Sequence, residues 1–137
     1  MSKLKTYTGL IMFILIFFVV ACKKPPGPGG KATISGKVYA YDFDNTQNYL
    51  ISKGYSAGTK VYIIYGDDKV IGGNVITDYD GSYEFRYLNK GKYKVFVNSI
   101  DTSYKVKGND TWIPVIKEVQ INETKKVVKL EDFVINK

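Results

Sequence analysis

Ala32-Thr33-Ile34-Ser35-Gly36-Lys37-Val38-Tyr39-Ala40-Tyr41 sets small or apolar residues at every even position against polar or aromatic ones at every odd position. A period of two marks a strand with one face in a core and the other toward solvent. Working outward from this stretch, similar short runs recur at 59–65, 70–77, 82–88, 92–98, 113–121 and 125–135. Gly66-Asp67-Asp68-Lys69, Asp78-Tyr79-Asp80-Gly81, Asn89-Lys90-Gly91 and Asn122-Glu123-Thr124 separate them, with residue types that tolerate tight or left-handed backbone. Apart from one turn expected inside 45–53, no stretch has helical spacing. The pattern predicts an all-β chain, a seven-stranded antiparallel β-sandwich with Ig-like Greek-key connections over residues 32–137.

Residues 1–21 read differently. Lys3 and Lys5 precede an uninterrupted run of 12 apolar residues from Leu10 to Ala21, and Val19-Val20-Ala21-Cys22 closes it. Twelve residues are too few for the ~20 that a helix needs to cross a bilayer. They fit the apolar region of a secretory signal peptide. The closing four residues resemble a bacterial lipobox, which implies a cleaved leader, a diacylglyceryl group on the Cys22 sulfur and further acylation of the palmitate type. More than one acyl chain is what stable anchoring requires. Residues 22–31 then hold three prolines and three glycines between Lys23 and Lys31, a composition that predicts an extended tether.

The charge balance is 20 basic to 13 acidic residues, and removing Lys3 and Lys5 with the leader leaves +5. Arg86 is the only arginine, so the residue best suited to bidentate phosphate and base contacts is almost missing, and no nucleic-acid partner is expected. Cys22 is the only cysteine, which excludes an intrachain disulfide. There is no histidine, the commonest metal ligand and neutral-pH general base.

Thr77-Asp78-Tyr79-Asp80-Gly81-Ser82-Tyr83-Glu84-Phe85, then Leu88 and Gly91-Lys92-Tyr93-Lys94-Val95, resembles the carboxypeptidase regulatory-like, transthyretin-like domains of Bacteroidetes-type lipoproteins and transporters. Ile34-Ser35-Gly36-Lys37-Val38 resembles their opening strand and Ala57-Gly58-Thr59-Lys60-Val61 the start of their second. The connection 42–58 is longer than that family's. The resemblance implies a non-catalytic accessory domain of the cell envelope. In such lipoproteins an acidic cluster after the cysteine directs export to the cell exterior. Lys23 and Lys24 stand there instead, so an outer-membrane, periplasm-facing placement is expected.

Asp78, Asp80 and Gly81 share a fragment of calcium loops, but the further acidic ligand of the EF-hand spacing is absent, so a structural turn is expected and no metal. No catalytic residue and no cofactor are expected, because the serines lack a histidine to activate them. The surface left for binding is the set of connections expected at the end away from the membrane, holding Asp42, Asp44, Tyr79, Tyr104 and Trp112. Aromatic faces beside polar side chains suit a glycan, and long loops on a rigid scaffold suit a protein partner. The expectation is a membrane-anchored binding or structural module, with a glycan-binding component of a nutrient-uptake system as the alternative and an envelope-polymer enzyme as a more remote one. Replacing Cys22 with Ser should abolish fatty-acid incorporation and leave the leader attached, read by metabolic labelling and intact mass; continued acylation would refute the anchor.

Overall fold

Strand β1 (Pro28–Phe43) is 16 residues long and carries the period of two that its sequence announces. Ala32, Ile34, Gly36, Val38 and Ala40 are all buried, whereas the odd positions between them are only partly covered. The same alternation governs its backbone. Val38 donates its N–H to Gly81 and accepts from Ser56 on one edge. Thr33, Ser35, Tyr41 and Phe43 make their bonds on the other edge, to Lys126, Leu130 and Lys137. One long strand therefore satisfies both of its edges and buries one face, as buried peptide groups require.

The computed structural model describes residues 24–44, 46, 48–103 and 111–137, and Cys22 and Tyr104 lie outside them. Among the described residues nine strands make two sheets, and no helix occurs. The first sheet is built on β1. Along one edge β5 (Ser82–Leu88) and β2 (Leu50–Tyr55) follow end to end, both antiparallel, meeting opposite Val38. Along the other edge β8 (Val127–Lys129) and β9 (Phe133–Asn136) follow end to end, both parallel to β1. The second sheet has the order β4 (Gly73–Ile76), β3 (Lys60–Tyr65), β6 (Gly91–Ile100), β7 (Trp112–Ile121), antiparallel throughout.

The sheets close on one core. Ala32, Ile34, Val38, Ala40, Tyr83, Phe85, Leu88, Phe133 and Ile135 come from the first sheet, and Val61, Ile63, Tyr93, Val95, Val97 and Ile121 from the second. Each large aliphatic or aromatic side chain in such a core contributes roughly 1.5–3 kcal/mol relative to exposure. At one end, called the upper end here, buried Thr77, Thr59 and Ser99 join the layers by hydrogen bonds. Thr77 Oγ1 accepts from the Thr59 N–H at 2.8 Å and donates to the Ser56 carbonyl at 2.6 Å, and Ser99 Oγ accepts from the Asn136 N–H at 2.9 Å.

The all-β sandwich expected from the sequence is the fold observed, with three differences of detail. The single strand expected over 125–135 is two strands, and both run parallel to β1 rather than antiparallel. The inward positions change phase there, from Val128 and Leu130 to Phe133 and Ile135, and the register with β1 gains one residue between β8 and β9. A slip of one residue inverts every side chain, so a continuous strand could not have buried both sets. The helical turn expected inside 45–53 does not occur among the described residues of that span, and residues 50–55 instead pair with β1 as β2.

The third difference is at the tether. Pro28 through Lys31 are already in β1, with proline at the first strand position, where a missing N–H costs nothing. Pro25 to Gly27 lie against the lower end of the domain. The Gly27 N–H donates to Tyr93 Oη at 2.9 Å, the Asn89 N–H donates to the Gly27 carbonyl at 2.9 Å, and Asn89 Nδ2 donates to the carbonyls of Pro25 and Pro28 at 3.1 Å each. A composition unable to form a ladder by itself is held by side chains from the β5–β6 connection.

Gly81 is where the β4–β5 turn meets the middle of β1. Its φ is +74°, and a Cβ there would stand 2.8 Å from the Val38 carbonyl oxygen and 3.0 Å from Tyr55 Cβ. Left-handed backbone and close packing both demand glycine. Gly81→Val should destabilise the domain by about 3 kcal/mol in chemical denaturation, and a loss below about 0.5 kcal/mol would show that the turn does not need glycine.

Candidate binding surface

The strand directions put the connections at two ends. The β1–β2 hairpin, the β2–β3 corner, the β4–β5 turn and the β6–β7 connection share the upper end, while Lys24–Lys31, the β3–β4 and β5–β6 connections and the β7–β8 connection share the lower one. Asp42, Asp44, Tyr79 and Trp112 all fall at the upper end, yet they occupy separate places.

Asp42 lies in β1 opposite Ser52, whose hydroxyl approaches its carboxylate at 3.5 Å. Asp44 closes the hairpin loop. Its Oδ1 accepts from the N–H groups of Asn48 at 2.9 Å and Tyr49 at 3.0 Å, and the Thr46 hydroxyl donates to Oδ2. The Thr46 hydrogen bond, then the Tyr49 N–H, hold its carboxyl below the ordinary carboxylate range. These bonds make Asp44 the cap of the hairpin loop.

The β4–β5 turn stands about four residues lower along β1 than Asp42, on the order of 13 Å. Asp78 bounds it through backbone bonds with Ser82 and Gly81. Tyr79 sits at its tip, 99% exposed, with no side-chain neighbour to form a pocket. Asp80 faces back: Lys37 Nζ donates to its Oδ2 at 2.7 Å and the Ser82 N–H to its Oδ1 at 3.0 Å. Lys37 is also 4.8 Å above the Tyr55 ring, and Tyr55 Oη donates to Asp132 at 3.0 Å. This exposed polar chain ties β1 to β2, to the β4–β5 turn and to the β8–β9 connection.

Trp112, expected in a loop, opens β7 opposite Ile100 and remains 55% exposed. It lines a shallow recess of about 220 Å³ with Lys60, Tyr62, Asn98 and Lys137. A second recess of about 230 Å³, lined by Asp42, Ser52 and Tyr55, lies on the other side of Lys137. The structure thus brings Trp112 and Asp42 to neighbouring recesses and leaves Asp44 and Tyr79 apart from both.

Below Trp112 the outer face of the second sheet carries a band that the sequence reading missed. Register aligns Asn74, Tyr62, Phe96 and Ile116 across all four strands. The Tyr62 and Phe96 rings stack with centroids 4.9 Å apart and planes 16° from parallel. Polar residues border the band, with Lys60 and Asn98 toward Trp112 and the Lys94–Glu118 pair, 3.9 Å apart, on the other side. The signal was readable. Tyr62 and Phe96 stand on the solvent phase of strands whose other outward positions include Lys60, Lys92, Lys94 and Asn98. Aromatic rings on that phase are not needed for the core.

No family model matches the chain, and no curated protein matches it. Among solved structures, it is similar to the crystal structure of a Pseudomonas aeruginosa protein described as a candidate carbohydrate-binding protein, with a TM-score of 0.44 and 16% identity over 85% of this chain and 93% of that one. A likeness of that size leaves the ligand to be argued from this chain's own residues.

The Lys37–Asp80 pair gives the upper end a pH signature. Asp80 is held well below the usual carboxylate range, first by the Lys37 hydrogen bond and then by Ser82, while Asp80 raises Lys37. A depressed carboxyl pKa stabilises the fold fully above its unfolded value of about 3.9, and that contribution is lost as pH falls toward the folded value. The raised lysine contributes below about 10.5 and is lost as pH rises through its folded value. Asp80→Asn keeps the turn acceptor and removes the charge. The difference in denaturation midpoint between wild type and this variant should be largest near neutrality and should close below about pH 4; a difference independent of pH would dissociate the pair from stability.

Proposed function

We propose that this chain is a cell-envelope lipoprotein, acylated on Cys22, whose sandwich is a non-catalytic glycan-binding module using the outer face of the second sheet at its Trp112 end. One observation carries the choice of ligand: the sole tryptophan, 55% exposed, shares a recess with Tyr62, Asn98 and Lys60 at the head of the stacked Tyr62–Phe96 pair. A sugar ring presents a face of C–H groups rimmed by hydroxyls. Aromatic faces attract the former, and an amide that both donates and accepts, beside an ammonium that donates, pairs with the latter.

The depth of the recess argues for the same conclusion. About 220 Å³ is below the 300–1,000 Å³ of a typical small-molecule pocket, whereas a long band beside it suits successive units of a polymer lying on the sheet. A protein partner is the second reading, and it has its own surface. Tyr49, just before β2, and Ile51, within it, are 74% and 66% exposed, and the outer edge of β2 is unpaired among the described residues.

Because Trp112 is the only tryptophan, its fluorescence reports on the recess directly. Titration with soluble oligosaccharides of envelope and plant polysaccharides should shift the emission for the glycan class that binds. Trp112→Ala should weaken capture of that glycan by about tenfold, the scale of one lost aromatic contact, without moving the melting transition. Tyr79→Ala should change neither. No emission shift with any glycan, together with unchanged capture by Trp112→Ala, would refute the glycan site, and loss of a protein partner on Ile51→Asp would establish the hairpin instead.

A further inference from the structure

The lower end holds the largest recess described here, a cleft of about 690 Å³ between the docked 24–31 segment, the β5–β6 connection and the end of β7. Lys24, Lys31 and Lys90 line it, with the amides of Asn89, Gln120 and Asn122 between them, and no carboxylate is among its lining residues. Among the described residues none of these three ammonium groups is paired with an acid. Glu123 lies 3.4 Å from Lys126, and Asp67 lines a separate recess beside Lys92 and Lys94.

The cleft is a built feature rather than a loose gathering of lysines. Gly30 passes so close to the Leu88 carbonyl that no side chain fits, and a Cβ on Gly91 would stand 2.5 Å from Pro26 Cγ. These close approaches, with the Asn89 and Tyr93 hydrogen bonds, hold the backbone that carries Lys24 and Lys31 against the connection that carries Lys90. Three cations around an acid-free opening, with the Gln120 and Asn122 side-chain amides also in its lining, form the complement of a phosphate group.

The location selects the source of that phosphate. The Pro25 carbonyl is bound by Asn89, and Cys22 is only three residues before it, a span of at most about 11 Å however the chain runs. If Cys22 carries acyl chains, the cleft lies at the headgroup layer, within about one to two Debye lengths of its charge. We propose that this cleft takes the phosphate of an anionic phospholipid headgroup and so seats the lower end of the domain on the membrane. The proposal rests on the lipid-anchored reading of Cys22 and extends it from a flexible attachment to an oriented one.

Lysine labelling tests it on the intact lipidated protein. The protein is extracted from membranes and reconstituted into vesicles of phosphatidylcholine alone or of phosphatidylcholine with phosphatidylglycerol, then treated with an amine-reactive reagent and mapped by peptide mass. Labelling of Lys31 and Lys90 should fall about fivefold with phosphatidylglycerol, the factor expected for one lysine at an anionic surface. Lys53, in β2 at the other end, and Lys125, at the lower end but outside the cleft lining, should change much less. Equal labelling in the two vesicles, or protection of Lys125 as strong as that of Lys90, would overturn the cleft. Protection of the detergent-solubilised protein by inorganic phosphate would reassign the site to a free phosphate ligand. Absence of fatty acid from the purified protein would sink the anchor reading and this occupant together, whereas acylated protein with unprotected lysines would sink the cleft alone.

Discussion

The hydrogen-bonding capacity of β1 is the constraint from which the rest of the sandwich follows. A strand of 16 residues exposes two rows of backbone donors and acceptors, and burying its even side chains makes both rows costly to leave unpaired. No single neighbour covers either row. β5 and β2 divide one edge, and β8 and β9 divide the other, so four short segments, three of them distant from β1 in sequence, are brought into line by one long one. The second sheet needs no such organiser, because β3, β4, β6 and β7 pair as antiparallel neighbours.

Tyr93 has a comparable role at the lower end. Its ring is in the core beside Tyr65, while its hydroxyl donates to the Asn89 carbonyl at 2.7 Å and accepts from the Gly27 N–H. A buried hydroxyl with both functions satisfied is stabilising where an unsatisfied one is costly. The contact resembles the tyrosine corners of other sandwiches, in which a hydroxyl at the start of a strand bonds the backbone a few residues upstream. Here it also captures the incoming chain, so the proline- and glycine-rich segment becomes part of the domain's lower surface.

The two ends consequently differ in kind. Around the upper end, exposed side chains bond to one another: Lys37 with Asp80, Tyr55 with Asp132, Asp44 with its own loop. These contacts are solvated, so each adds little to net stability, and they chiefly position loops. At the lower end Lys24, Lys31 and Lys90 have no acidic partner among the described residues. An aromatic band on the outer face of the second sheet lies between them, rigid because the core holds its strands.

Amino-acid order by itself determined the all-β class, most strands and most turns, because a period of two and Gly or Asp at the breaks are local properties of the chain. It also carried the phase change between Leu130 and Phe133 and the outward aromatics Tyr62 and Phe96, signals that become meaningful only once neighbouring strands are known. Tertiary structure alone decided that residues 50–55 extend as a strand, that β8 and β9 run parallel to β1, and that Gly27 is buried under Tyr93. It alone aligned Tyr62 with Phe96 and placed Trp112 at the head of their band. The division has one physical cause. Periodicity and turn chemistry act between residues a few positions apart, whereas register, strand direction and the filling of β1's two edges are settled by residues from about 7 positions apart, for β2, to about 95 apart, for β8 and β9, competing for the same backbone groups.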